Sequence, residues 1–278
     1  VEQLTFLLFI KGLDEQQTLA ENKSNTTGKP IEKPIYPSGD NSNGVPYEQL
    51  RWSRFKNLPA DEMHKLVGEQ VFPFLHEIAE GSTHAIHMQD AKLAVQKPST
   101  LQKAVDGLDA IPMADRDTKG DVYEYMLSKI ATAGENGQFR TPRHIIQLMV
   151  ELIAPSPEDI ICDPASGTCG FLIAASEYIR DHLPNALIDE ESATHFHNTM
   201  FNGFDFDTTM LRIGSMNMQL HGIQNPSIEY RDSLTERYNT GHESTSVILA
   251  NPPFKGSLDY EETAKDLLET VQTKKIVV

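Results

Sequence analysis

The chain has 278 residues, a length that corresponds to roughly two domains. Hydrophobic residues make up 39% and charged residues 23% of it, as is usual for a globular protein. The formal net charge of −16 argues against a uniformly basic clamp around nucleic acid. Any contact with DNA must therefore come from a local basic patch, from partner subunits or from sequence outside this chain.

The apolar segments and the cysteines indicate the cellular compartment in which the protein is expected to reside. The longest apolar run near the start, Phe6 to Ile10, is too short to span a bilayer, and no basic segment or cleavage site precedes it. We therefore expect no signal peptide and no membrane contact. Cys162 and Cys169 have no companions at metal-ligand spacing, so we expect reduced thiols in a cytoplasmic protein.

Residues 1–133 are predicted to form a helical N-terminal domain. The segment from Leu4 to Lys11 resembles the end of an amphipathic helix, and residues 21–46, rich in Asn, Thr, Pro, Gly and Ser, are predicted to be a loop or mobile insertion. The pattern from Pro59 to Ala133 is helical, with apolar stripes that are typical of a core. The stripes are Met63, Leu66, Val67 and Val71, continued by Phe74, Leu75 and Ile78; Leu101, Val105 and Leu108; and Val122, Tyr125, Met126 and Ile130.

Residues 134–278 show a different pattern, in which strand candidates alternate with helices. A loop signal at 134–137 and Pro142 at a helix start open this part. Such alternation predicts an α/β fold with a parallel sheet wrapped by helices. The strand candidates are 159–163, 202–206, 227–230 and 246–250, and the helix candidates between them are 170–182 and 208–221.

Asn251, Pro252, Pro253 and Phe254 directly follow the last strand candidate. Two adjacent prolines cannot donate to a sheet ladder, so the strand must end there, and open α/β sheets bind ligands at the carboxyl ends of their strands. The Asn251 oxygen and a backbone carbonyl can both accept hydrogen bonds from one exocyclic amino group while Phe254 stacks on the ring. These residues suit a flat heterocycle that carries an amino group, although a simple strand-ending loop is the alternative.

A glycine-containing loop follows the first strand candidate and opens the next helix, with Asp163 at its start and Gly167 and Gly170 within it. The glycines let the backbone approach a ligand closely. The loop is neither the dinucleotide pattern nor a phosphate-binding loop. Asp163 would repel a pyrophosphate and attract an ammonium or sulfonium group, which suggests S-adenosylmethionine; a tight structural turn is the alternative.

Acidic residues also follow the next two strand candidates. Asp205 closes the second, where a carboxylate can accept from both ribose hydroxyls, while Asp207 is predicted to be the N-cap of the following helix. Asp232 follows the third and is placed to accept from an adenine amino group, with Leu234 against the ring. Each acid alone is more often a solvated loop residue, but three acids at successive strand ends favour one nucleotide-binding edge.

These motifs, in this order and together with Phe139–Arg143, resemble those of amino-group DNA methyltransferases. With the helical domain ahead of them, the chain resembles the methylation subunit of type I restriction–modification systems. The resemblance implies a Rossmann-like S-adenosylmethionine-dependent methyltransferase sheet preceded by an all-helical domain, and N6-methyladenine in DNA as the product. It also implies two protein partners, a specificity subunit that reads the DNA target and a restriction subunit.

The resemblance also assigns site residues. The cofactor is expected to contact Phe139, Thr141, Pro142, Asp163, Ser166, Gly167, Thr168, Gly170, Asp205, Asp232, Ser233 and Leu234. The target base, flipped out of the helix, is expected to lie against Asn251, Pro252, Pro253 and Phe254. Arg140 stands where many relatives carry an aromatic residue, and Cys169 where glycine is frequent. No metal is expected, because His195 and His197 lack further ligands.

Two other interpretations remain open. Protein glutamine methyltransferases use a related Asn-Pro-Pro-aromatic loop on a side-chain amide, so the substrate could be a protein. Alternatively, the chain could be a truncated assembly subunit without catalytic activity, because it stops at Val278 and a complete methyltransferase sheet has further strands. We therefore expect residues 134–278 to be the first part of that domain and the chain by itself to be inactive.

Overall fold

The structure is a computed structural model that describes residues 2–79, 83–111, 141–235 and 245–252. The chain divides into two compact units, residues 1–135 and 136–278. The predicted stripe at 122–130 lies outside the described residues. Among the helices that are described, none is both long and apolar enough to cross a bilayer.

The described part of the first unit is helical. A short 3₁₀ turn, Tyr47–Leu50, precedes α2, and a π-helical turn, Val67–Val71, joins α3 to α4, so that residues 60–79 form one continuous helical run. The helices are α1 (Glu2–Thr27), α2 (Trp52–Phe55), α3 (Ala60–Leu66), α4 (Phe72–Ala79), α5 (Ala85–Met88) and α6 (Pro98–Asp109).

Helix α1 forms the centre of this unit. All its residues from Thr5 to Asp14 are buried, and a helix that is covered all round is stable only inside a protein. The prediction that a helix ends near Lys11 is therefore wrong, because these residues are early turns of a longer helix. Lys11 is buried because its ammonium group donates to the carbonyl oxygens of Leu108, at 2.9 Å, and Asp109, at 3.3 Å, at the end of α6.

The loop predicted for residues 21–46 starts too early, since residues 21–27 are the last turns of α1. The side chains that suggested a loop instead bond within the helix: Thr26 and Thr27 donate their hydroxyls to carbonyl oxygens four residues back. Arg51 also holds Glu21, with 3.0 Å between Nη1 and Oε1. Gly28, at φ +69°, ends the helix in the left-handed conformation that glycine favours.

The helical pattern predicted from Pro59 onwards is interrupted at residues 91–97, which are irregular. Gln3 of α1 holds this segment, because its amide donates to the Lys92 carbonyl at 3.1 Å and accepts from the Ala94 N–H at 2.8 Å. These long-range bonds satisfy backbone groups that a helix would otherwise pair. A local pattern of residues could not reveal them.

The second unit confirms the predicted fold class, a parallel α/β sheet that follows a helical region. The four strands among its described residues are all parallel, in the order β3-β2-β1-β4. Each strand lies within two residues of a predicted one at either end. The elements are α7 (Arg143–Ile153), β1 (Ile161–Asp163), α8 (Gly170–His182), a 3₁₀ turn (Pro184–Leu187), α9 (Glu190–Asn198), β2 (Phe201–Asp205), α10 (Thr208–Leu220), β3 (Ser227–Tyr230) and β4 (Val247–Ile248).

Helix α9 was not predicted. Asp189 caps it by accepting the Ser192 N–H at 2.9 Å, but Phe196 is its only buried residue. A single buried apolar residue among nine does not produce the hydrophobic periodicity by which a helix is recognised in a sequence. Phe196 packs edge-on against Phe201 of β2, with 5.2 Å between ring centroids, which places α9 on the sheet.

The strand order positions the site. The chain passes outward from β1 to β2 and β3, then returns to place β4 on the other side of β1. The loops after β1 and β4 therefore leave the sheet side by side at its carboxyl edge, which is the switch point where open α/β sheets bind ligands. Asp163 ends β1, and Asn251 follows β4 by three residues.

Candidate functional site

The loop from Asp163 to Gly170 is held against the neighbouring strand by hydrogen bonds that its backbone N–H groups donate. The Ser166 N–H donates to the Phe204 carbonyl at 2.8 Å, and the Gly167 N–H donates to Oδ2 of Asp205 at 2.9 Å. Gly167 and Cys169 have φ values of +50° and +64°, so the loop turns twice through the left-handed region. The turn at Cys169 leads directly into α8, whose first residue is Gly170.

Helix α10 packs against this loop through two residues that the sequence did not indicate. A Cβ on Gly214 would lie 2.6 Å from the Cys169 sulfur and 2.9 Å from the Gly167 carbonyl oxygen, so only glycine allows this approach. Asn217, which is buried, donates from Nδ2 to the Thr168 carbonyl at 3.0 Å. Both residues lie more than 40 positions from the loop, and no local signal connects them to it.

Asp163 is buried with an exposed fraction of 1%, and one carboxyl oxygen accepts the Ala165 N–H at 3.1 Å. The pKa of Asp163 is raised to about 7, mainly by burial and to a lesser extent by the charge of Asp205, while the hydrogen bond from the Ala165 N–H opposes the shift. A carboxyl group whose charge is this poorly compensated is stabilised by an incoming cation. It is the last residue of β1, the strand-end position expected from the sequence.

Asp205 has a structural role that the sequence did not predict. Its two oxygens accept from the backbone N–H groups of Gly167 and Asp207, both at 2.9 Å, so it orders the glycine loop as well as the turn after β2. Burial raises the pKa of Asp205, while these backbone bonds lower it. Because a carboxylate offers about four lone-pair directions, Asp205 can still accept hydrogen bonds from ribose hydroxyls. Asp207 caps α10 by accepting from the N–H groups of Thr209 and Met210, which confirms its predicted role.

The segment after β3 reaches the same edge. The Ser233 hydroxyl donates to the Pro164 carbonyl at 2.7 Å, which fastens this segment to the loop after β1. Asp232 is exposed and accepts the Leu234 N–H at 3.0 Å, so its carboxylate is oriented by its own turn. The structure thus brings the predicted residues of the second and third strand ends to the glycine loop.

Phe206 is a candidate that the sequence reasoning did not include. It directly follows Asp205 and has 62% of its side chain exposed, although aromatic side chains of this size are usually buried. An exposed ring beside a carboxylate at this edge offers a flat apolar surface for another ring. The signal was available in the sequence, since an aromatic residue stands between two acids at a strand end.

Asn251 is linked to a segment far away in sequence. Its Nδ2 donates to the Thr141 hydroxyl oxygen at 2.8 Å, and both residues are half-buried. Pro142, which follows Thr141 in the sequence, is exposed and occupies the N-cap position of α7. Pro252 is exposed, and the other residues predicted for this region, Phe139, Pro253 and Phe254, lie outside the described residues.

His195 of α9 is engaged in ordinary hydrogen bonds. The His195 ring bonds to the Asp159 carbonyl through Nε2 at 2.9 Å and to the Thr199 hydroxyl through Nδ1 at 2.6 Å. Over the described ranges of the chain, no group of three or more His, Cys, Asp or Glu residues is arranged to hold a metal ion.

A glycine loop, acids at the ends of three parallel strands and an Asn-Pro segment at the switch point define a Rossmann-like methyltransferase sheet. Comparison with known families agrees. The family model for N-6 DNA methylases matches residues 114–275, which is more than half of the chain, and the model for the HsdM N-terminal domain matches residues 1–108. The chain belongs to the N-6 DNA methylase family.

Its relatives include methylase subunits of type I restriction enzymes. The EcoEI subunit of Escherichia coli is 27% identical over 267 residues, which cover 92% of this chain and 51% of that protein. The EcoKI subunit of E. coli strain K12 is 27% identical over 274 residues, covering 91% and 46%. The chain thus spans about half the length of the curated relatives it matches.

Among solved structures, a type I modification subunit from Vibrio vulnificus YJ016 shares the fold with a TM-score of 0.73. It is 22% identical, and the similarity covers 99% of this chain and 59% of that one. At this identity the likeness concerns the fold, and it extends over both the helical and the α/β parts.

Proposed function

We propose that this protein transfers a methyl group from S-adenosylmethionine to N6 of adenine in DNA, as the modification subunit of a type I restriction–modification system. The observation that carries the proposal is the placement of Asp163 at the end of β1 and of Asn251 three residues after the adjacent parallel strand, β4. A residue suited to a cationic donor and one suited to an amino group therefore leave the sheet side by side. Membership of the N-6 DNA methylase family supports the same reaction.

The residues at this edge fit the cofactor. Asp163, whose pKa burial raises to about 7, would become ionised when the α-ammonium group of S-adenosylmethionine approaches. The N–H groups and glycines of its loop allow close approach of the ligand. Asp205 would accept from the ribose hydroxyls, and Asp232 from the adenine amino group, while Phe206 and Leu234 would cover the adenine ring. Ser166, Thr168, Ser233 and Gly170 would complete the walls of this site.

The chemistry asked of the protein is alignment. S-adenosylmethionine, when bound, supplies a methyl group that is already activated by the sulfonium charge. Asn251 would accept a hydrogen bond from the target amino group and turn its nitrogen lone pair towards the methyl carbon, with Pro252, Pro253 and Phe254 holding the base. The base must leave the DNA stack first, at a cost of a few kcal/mol that contacts in the pocket repay.

Protein partners would supply the DNA contacts. The net charge of −16 gives this chain little general attraction for phosphates. We propose a specificity subunit that reads the target sequence and holds the DNA, and a restriction subunit in the larger assembly; the relatives are themselves named as methylase subunits of type I restriction enzymes. A cytoplasmic location, where DNA and both partners would be present, belongs to the same proposal.

A protein substrate is the second candidate, because glutamine also presents an amide NH₂ to an Asn-Pro-Pro loop. The family match favours DNA over a glutamine side chain. It also favours an enzyme over a subunit that only assembles with partners. The residues that make the catalytic edge are present in this chain.

The test uses the polypeptide encoded by the whole gene, purified with its specificity subunit. Methyl transfer from labelled S-adenosylmethionine is measured on genomic DNA, and the modified base is identified by mass spectrometry. We expect N6-methyladenine from the wild type and a loss of about 10²–10³ in rate for Asn251→Ala, by analogy with other oriented polar groups. Methylcytosine as product, or methylation of a glutamine peptide but not of DNA, would show that the proposal is wrong.

A further inference from the structure

The contact between Thr141 and Asn251 joins two segments that are 110 residues apart. One precedes the first helix of the described α/β part, and the other follows its last described strand. The donor is the amide nitrogen of Asn251 and the acceptor is the threonine hydroxyl oxygen, at 2.8 Å. Such a bond between side chains is well within hydrogen-bonding distance and needs both segments to be held in place.

The segment that carries Thr141 is held firmly. The carbonyl of the next residue, Pro142, accepts from the N–H groups of Ile145 and Ile146 at 2.9 and 3.1 Å, which starts α7 at a fixed place. Ile146 and Val150 anchor that helix in the core of the α/β unit. Thr141 is itself β-branched, and such side chains have few χ1 rotamers. Its hydroxyl is therefore a defined point on a rigid support.

The bond has a consequence for the two ends of the Asn251 amide. Its nitrogen is turned towards Thr141, so the carbonyl oxygen is the end that remains for a substrate amino group. Without an acceptor at position 141 the amide could rotate and present its NH₂ group to the substrate, where two donors would face each other. A donor facing a donor cannot orient the nitrogen lone pair that the reaction requires.

We propose that Thr141 is a positioning residue for Asn251, and that it acts on the target base through that amide. This inference rests on the proposed methyl transfer. It differs from the role that the sequence resemblance implies for Thr141, which is to cover the methionine end of the cofactor. The two roles make different kinetic predictions, because one concerns the rate of transfer and the other the affinity for S-adenosylmethionine.

The experiment compares Thr141→Val, which removes the hydroxyl at nearly constant shape, with Thr141→Ser, which keeps it. Both are assayed in the polypeptide encoded by the whole gene with its specificity subunit. Thr194→Val is the matched control, since Thr194 is exposed on α9. Single-turnover rates of methyl transfer and calorimetric Kd values for S-adenosylmethionine are measured for each variant.

We expect Thr141→Val to lower the rate about 10- to 100-fold, somewhat less than removal of a directly acting group, with the cofactor Kd within about twofold of wild type. Thr141→Ser should recover most of the rate, and Thr194→Val should leave both quantities unchanged. Thr141→Val combined with Asn251→Ala should be no slower than Asn251→Ala alone, because the two residues act as one unit.

Three results would overturn the inference: a weakened cofactor Kd with an unchanged rate, independent effects of the two substitutions, or a Thr141→Ser variant as slow as Thr141→Val. The proposed function is judged separately by the wild-type product. If the wild type methylates glutamine, the same comparison is made on that peptide, because its amide NH₂ also needs an acceptor.

Discussion

Replacing Gly214 with alanine should disturb the loop from Asp163 to Gly170, because this glycine lets α10 approach that loop. The new Cβ would lie 2.6 Å from the sulfur of Cys169 and 2.9 Å from the carbonyl oxygen of Gly167. One neighbour is backbone and the other is a fully buried side chain, so neither can move aside cheaply. The loop or the helix must shift by several tenths of an ångström.

The magnitude follows from two opposing effects. Alanine in place of glycine in a helix interior gains about 1 kcal/mol of helix propensity, whereas overpacking a core costs about 1–3 kcal/mol. If the free loop relaxes, the strain returns when S-adenosylmethionine requires the original geometry. Each 1.4 kcal/mol is tenfold in affinity, so a strain of about 1–3 kcal/mol should raise Kd by about 5- to 140-fold. If the loop does not relax, the loss appears in the unfolding free energy instead.

Gly107→Ala is the matched control. Gly107 lies in α6 of the first unit and is exposed, and a Cβ there would meet nothing within 4 Å. Only the propensity gain remains, so this variant should be more stable by up to about 1 kcal/mol, with an unchanged cofactor Kd. The single tryptophan, Trp52, also lies in the first unit, so its fluorescence follows unfolding where Gly107 is located.

The assay pairs thermal denaturation, followed by circular dichroism, with calorimetric titration of S-adenosylmethionine. Gly214→Ala should lose either stability or affinity, while Gly107→Ala should lose neither. Equal behaviour of the two variants, with both stabilised and both binding as tightly as wild type, would refute the reasoning. It would mean that α10 does not pack against the loop as described.

Three further predictions concern the same edge. Because the pKa of Asp163 is raised to about 7, S-adenosylmethionine should bind more tightly as pH rises from about 5.5 to 7 and should release a proton, which calorimetry in buffers of different ionisation enthalpy detects. The raised pKa also means that the folded protein keeps a proton on Asp163 that the unfolded chain has already lost. The contribution of this group to the stability of the fold is therefore full below about pH 4 and is lost as pH rises through about 7. Asp163→Asn should therefore be more stable than wild type at pH 8, on the order of 2–4 kcal/mol, with little difference at pH 4, and should bind the cofactor poorly. Phe206→Ala should weaken cofactor binding by about 0.5–1.5 kcal/mol without lowering the melting temperature, since the ring is exposed; an unchanged Kd would remove it from the site.

The parts of the fold that were predictable have local causes. Gly170 begins α8 and Asp207 caps α10, so those boundaries could be read from single residues. The parallel strands were recognisable as apolar runs between helical periods. By contrast, Thr26 and Thr27 have a composition typical of loops, yet their hydroxyls bond inside α1. Composition alone does not distinguish these two uses of threonine.

The predictability of the site divides in the same way. Asp163 and Asn251 stand at strand ends, and a strand end together with a distinctive residue type is visible in sequence. Gly214 and Asn217 act across a tertiary contact from the middle of a helix, where glycine and asparagine are merely poor helix formers. Such residues are unfavourable in a helix by local propensity, and only the three-dimensional contact with the loop explains why they are there.

The electrostatics of the edge connect the cofactor to the proposed partners. Asp163 and Asp205 are buried close enough that the charge of Asp205 raises the pKa of Asp163, so this edge holds negative charge at a cost. A cationic donor relieves that cost, whereas DNA phosphates would add to it. The same acids that favour the sulfonium therefore disfavour the DNA backbone. A specificity subunit with basic contacts, as proposed above, would resolve this conflict, because it would hold the phosphates while only the uncharged target base entered beside Asn251.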